Sequence, residues 1–87
     1  MNMLNARHLK TLSLIFSVPT PSALEWRKIE VLFIALGAKV SEGKGSRVRF
    51  EINNVVASFH RPHPDKEAKI YQVRDAKTFL ETIGVKP

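Results

Sequence analysis

Two histidines, His60 and His63, lie three residues apart in the stretch "FHRPHPDKEAK". Histidine has an ordinary pKa of about 6.5, so it can both take and give a proton near neutral pH. Cations crowd around the pair in the sequence: Lys44, Arg47 and Arg49 upstream, Arg61, Lys66 and Lys69 downstream. Arginine grips phosphate with two parallel N–H donors, and lysine adds point charge. These are the parts that cleaving RNA requires: a base for the 2′-hydroxyl, an acid for the leaving oxygen, and cations for the developing charge. The same set also suits plain phosphate binding, with both histidines merely solvated. A metal site is the weaker reading. His60 and His63 flank a proline instead of sharing a helix face, His8 is distant, and the chain has no cysteine. A serine nucleophile is weaker again, because neither Ser46 nor Ser58 sits in a strained nucleophile turn and Asp65 is the nearest acid. Nothing in the pattern asks for a cofactor.

The totals agree with an anionic partner. Fourteen Lys and Arg against eight Asp and Glu give +6 on 87 residues, with a pI of about 10.1. An excess of that size on so small a surface favours nucleic acid or an acidic protein. The length allows one domain with little margin. A hydrophobic share of 44% is ordinary for a globular chain. Without cysteine there are no disulfides and no thiolate zinc sites. The N-terminus, "MNMLNARHLKTLSLIF", mixes polar and charged residues into its apolar ones, so it matches neither a signal peptide nor a membrane span. A cytoplasmic protein is the expectation.

The elements that must position these residues follow from periodicity. Leu9, Leu12, Ile15 and Phe16 predict a helix from Ala6 to Phe16, with Asn5 as its cap and Leu4 and Leu9 at staple spacing. Pro19 and Pro21 end it, so residues 1–21 read as a helical extension on a proline-rich link. Residues 22–87 read as the main domain. Its first helix buries Trp26, Ile29, Leu32, Phe33 and Leu36 and stops at Gly37. It starts either at Ser22, which has capping-box spacing with Glu25, or near Trp26. Three strands follow, at Ala38–Glu42, Ser46–Ile52 and Val55–His60. Asn53-Asn54 suits a two-residue hairpin turn, and that turn sets the register. Ile52, Phe50 and Val48 then face Val55, Ala57 and Phe59 on one side of the sheet. On the other side Glu51 faces Val56, Arg49 faces Ser58, and Arg47 faces His60. A last helix runs from Gln72 to Ile83, with Val73, Ala76, Phe79, Leu80 and Ile83 inward and Gly84 as its stop. The prediction is an α+β fold with helices on one face of an antiparallel sheet and the other face open.

From Trp26 to Val85 the chain resembles the HicA toxins of bacterial toxin–antitoxin systems. The resemblance rests on the helix "WRKIEVLFIALGA", the turn "GKGSRVRF", the hairpin through "INNVVASF", the loop "HRPHPDKEAKI" and the closing "FLETIGV". It implies a fold like a double-stranded RNA-binding domain, a metal-independent mRNA interferase activity, and a HicB-like antitoxin that masks the active surface. It also implies a catalytic histidine directly after the Gly45-Ser46 pair. Here that place holds Arg47, whose pKa above about 12 bars it from proton transfer at neutral pH. The residues offer His60, with His63, as the relocated proton carrier. Lys44, Ser46, Arg47, Arg49, Arg61, Lys66 and Lys69 are then the RNA-binding set. The alternative is a module on the same fold that binds nucleic acid or antitoxin without cutting.

Overall fold

Each element forms where an apolar period meets a local stop signal, as a computed structural model describing residues 4–87 shows. The order is α1 (Ala6–Ile15), α2 (Trp26–Ala35), β1 (Lys39–Glu42), β2 (Arg47–Ile52), β3 (Val55–His60) and α3 (Ile70–Thr82). The sheet is antiparallel throughout, in the order β1-β2-β3. This is the predicted α+β architecture, and residues 26–82 run helix, three strands, helix, as in a double-stranded RNA-binding domain.

The β2–β3 hairpin has the predicted register, from Ile52 opposite Val55 to Arg47 opposite His60. Its turn puts Asn53 and Asn54 at φ 52° and 65°, a left-handed pair that asparagine tolerates better than most residues. Val48, Phe50 and Phe59 point inward and are buried. Phe33 of α2 meets Phe50 edge-on at 5.0 Å, and Trp26 lies 4.9 Å from Phe59. Such ring pairs add about 0.5–1.5 kcal/mol to their area burial. Trp26 is thus a core residue, as its period predicts.

α2 starts at Trp26, and the Ser22 start is not used. Residues just before it form a bridge instead: Glu25 pairs with Glu67, the Trp26 N–H donates to the Lys66 carbonyl, and the Ala68 N–H donates to the Leu24 carbonyl. α3 starts two residues earlier than its apolar period suggests, because its first residues, Ile70 and Tyr71, are exposed and add nothing to the inward stripe, while Gln72, although polar, is buried.

α1 is capped as expected, with the Asn5 side chain accepting from the His8 N–H at 2.9 Å. His8 returns the bond through Nδ1, which accepts from the Asn5 N–H. Leu9 departs from its expected place. It is 48% exposed, and Thr11 is buried with Leu12 and Ile15. Leu12 and Ile15 belong to the same apolar cluster as the sheet residues, and α1 packs against both α2 and α3. Lys77 of α3 lies 5.6 Å over the Phe16 ring at the end of α1. Of the expected 1–21 extension, residues 1–3 lie outside the described residues. No described helix is long and apolar enough to cross a membrane.

Candidate nucleic-acid interface

Strand alternation decides what the open sheet face displays. Arg47 stands across from His60 at one end. The next row is Ser41, Arg49 and Ser58, and the far row is Lys39, Glu51 and Val56. Arg47, Arg49, Ser58 and His60 are all exposed. Glu51 is confined to the far row, so positive charge concentrates at the His60 end. Lys39 and Ser41 were not singled out by the sequence, because only the β2–β3 turn gave a register.

The turn before β2 feeds this end of the sheet. Lys44 is exposed in it, and Gly45 takes φ +61°. The Gly43 N–H donates to the Arg47 carbonyl, closing the turn. A Cβ at Gly43 would meet the Arg47 Cβ at 2.9 Å, closer than carbon atoms tolerate. Glycine is therefore required where the backbone passes Arg47. Ser46 is exposed in the same turn, and its carbonyl accepts from the Arg61 N–H at 2.8 Å.

Arg61 is occupied differently from the other cations. His60 faces outward, so the next residue turns toward the helices. There the Arg61 guanidinium spans two carboxylates. Nε and one terminal nitrogen donate to Glu30 of α2 at 3.0 and 2.9 Å. Both terminal nitrogens donate to Glu42 of β1 at 2.6 and 2.9 Å. Glu30 also accepts from the Trp26 indole N–H at 2.9 Å. Arg61 is thereby held well above the ordinary arginine range, chiefly by its bonds to Glu42 and then Glu30. Its hydrogen bonds hold the Glu42 carboxyl below its usual range. A phosphate at Arg61 would have to displace a carboxylate. The pairing had a sequence signal that went unread: Glu42 shares the inward parity of Val40, and Glu30 lies one turn after Trp26.

Gln72 is the second unforeseen residue. It is 2% exposed, its Nε2 donates to the His60 carbonyl at 2.7 Å, and its Oε1 accepts from the Lys69 N–H at 3.0 Å. The end of β3 is thus fastened to the start of α3. Lys69 occupies the N-cap position of α3, with no side-chain cap bond, and is exposed there. Lys66 is exposed as well, but the bond from Trp26 draws its backbone to the start of α2, away from the sheet rows. His63 is exposed in the intervening loop, next to a cis bond to Pro64. Neither the His60 nor the His63 ring has a hydrogen-bond partner among the described residues. No three His, Asp or Glu side chains converge as a metal-binding group among them either. The structure therefore brings together Lys44, Arg47, Arg49, Ser58 and His60, with His63 and Lys69 nearby in sequence and Arg61 facing inward.

Residues 26–85 match the family model described as "HicA toxin of bacterial toxin-antitoxin". The match covers α2, the whole sheet and α3, and leaves α1 outside it. No curated protein and no solved structure matches the chain.

Proposed function

The chain belongs to the HicA toxin family of bacterial toxin–antitoxin systems, and from that premise we propose that it is an mRNA-cleaving toxin whose open sheet face is the active surface. The observation that carries this reading is the placement of His60 directly opposite Arg47, beside Arg49, on an exposed and strongly basic face. Residues facing each other on antiparallel strands have Cβ atoms about 5 Å apart. A phosphate held by Arg47 and Arg49 would lie within reach of the His60 ring. His60 takes the proton of the 2′-hydroxyl, whose oxygen attacks the adjacent phosphorus. The bond from phosphorus to the 5′-oxygen breaks, and that oxygen leaves with a proton supplied by His63 or by His60 itself. The products are a 2′,3′-cyclic phosphate and a 5′-hydroxyl. Arg47 and Arg49 offset the charge that builds on the phosphate oxygens. A HicB-like antitoxin would silence the toxin by covering the same face. The place of action is the cytoplasm, where mRNA is translated.

Loss of one acid–base group lowers rate by about 100-fold or more. Folded His60→Ala should therefore stop arresting growth on induction and should leave cellular RNA intact, with His63→Ala less affected. A folded His60→Ala protein that cuts RNA at the wild-type rate would refute the role of His60. The second reading is binding without cleavage. It is favoured by Arg47, which occupies the place where the family resemblance puts a histidine. Wild-type protein that binds RNA with steep salt dependence and never cuts it would establish that reading.

A further inference from the structure

α1 and α2 enclose a groove of about 610 Å3 on the helical side of the molecule, away from the open sheet face. Arg7 and Lys10 line it from α1, and Arg27 and Lys28 line it from α2. All four are exposed, and none forms an ion pair among the described residues. Glu25 is the one acid on the lining. His8 adds a donor: its Nδ1 accepts from the Asn5 N–H, so the neutral ring carries its proton on Nε2.

The groove is joined to the sheet face by the basic loop. The Glu25–Glu67 bridge and the Trp26 N–H on the Lys66 carbonyl hold that loop against the start of α2. The loop thus carries Lys66, between the acids Asp65 and Glu67, from the end of β3 to Arg27 and Lys28 of α2. Since α1 lies outside the family match, the groove is an addition to the matched domain.

We propose that this groove is a second phosphate-binding surface, which holds the RNA strand flanking the segment on the sheet face. The proposal rests on the RNA-binding reading of that face. Its occupant is chosen by chemistry. Protein interfaces are enriched in aromatic residues and depleted in lysine. This lining has two lysines, two arginines and a histidine but no Phe, Tyr or Trp, a composition that suits phosphates.

The test uses the full chain and a labelled, uncleavable 2′-O-methyl RNA of about 16 nucleotides, long enough for an extended single-strand site. Fluorescence anisotropy gives affinity at several salt concentrations. The quadruple variant Arg7→Gln/Lys10→Gln/Arg27→Gln/Lys28→Gln should flatten the slope of log affinity against log salt by about 3 units. The milder pair Lys10→Gln/Lys28→Gln, which guards against misfolding, should flatten it by about half as much. An unchanged slope in these variants, with Arg47→Gln/Arg49→Gln still weakening binding, would overturn the groove and leave the sheet-face reading standing. Unchanged binding in every variant would overturn both. If the groove variants keep RNA affinity but lose binding to polyglutamate, the groove is a site for acidic protein and the proposal fails.

Discussion

The guanidinium of Arg61, one residue past β3, chelates both carboxylate oxygens of Glu42 at 2.6 and 2.9 Å. The pair ties the end of β1 to the end of β3 across β2 and turns Arg61 away from the face that displays His60. Its pH dependence has a definite sign. The Glu42 pKa is lower in the folded chain than its ordinary 4.5, first through the hydrogen bonds from Arg61. The stabilisation is therefore present above the unfolded pKa and is lost as pH falls through the lower folded value. Thermal melts from pH 7 to pH 3 should show wild type losing more stability than Glu42→Gln below about pH 4.5, the ordinary carboxyl range. Salt should shrink the difference, because Glu42 is largely exposed. Parallel pH profiles for the two proteins would count against this.

Arg61 also satisfies Glu30, a carboxylate only 20% exposed. Arg61→Ala leaves that group without its strongest partner and should cost about 1–3 kcal/mol in urea denaturation. Arg61→Lys should recover only part of the loss, since an ammonium cannot fork between two carboxylates. Full recovery by lysine would mean that charge alone, without the fork geometry, holds the joint.

Gln72 should matter to activity without touching RNA. Gln72→Leu removes the donor to the His60 carbonyl and the acceptor for the Lys69 N–H, at an expected cost of about 1–3 kcal/mol. Cleavage or RNA affinity should fall at temperatures where the variant is still fully folded, because the end of β3 is no longer fastened to α3. Gln72→Glu keeps the acceptor and loses the donor, so it should recover only part of the stability.

Much of the fold was legible because it depends on local rules. Two asparagines in sequence fixed a hairpin, and the hairpin placed Arg47 opposite His60. What stayed hidden depends on groups far apart in sequence. Glu30, Glu42 and Arg61 converge only once α2, β1 and the end of β3 are packed. Ile70 and Tyr71 are exposed at the start of α3, so a reading by inward period starts that helix too late. Leu9 looks inward by spacing alone, yet the face of α1 that meets α2 and α3 carries Thr11. The proton chemistry was the least legible part, since two histidines and several cations read alike whether they cut or merely bind.

Gly43 offers a sharper test of how the β1–β2 turn sets the site. Gly43→Ala would push a methyl group to 2.9 Å from the Arg47 Cβ. The strands must shift, at an expected cost of about 1–3 kcal/mol. RNA affinity should fall with stability, since the displaced residue is Arg47. Gly43→Ala in an Arg47→Gln background should lose little further affinity. An additive loss would show that the turn serves RNA binding through something other than Arg47.

The place of α1 can be decided by its core contacts. Leu12 is 2% exposed and shares the cluster that underlies the sheet. A helix hung on a flexible link would tolerate Leu12→Ala with no effect on global unfolding. A helix that completes the core would transmit a cost of about 2–5 kcal/mol, the usual range for emptying a buried leucine site. The packing of α1 on both α2 and α3 predicts the second result, with one cooperative transition in urea. The same variant should lower the apparent affinity for RNA only where a measurable fraction is unfolded, because Leu12 faces the core and not the groove. Two separate unfolding transitions, with the first confined to α1, would return this helix to the status of an appendage.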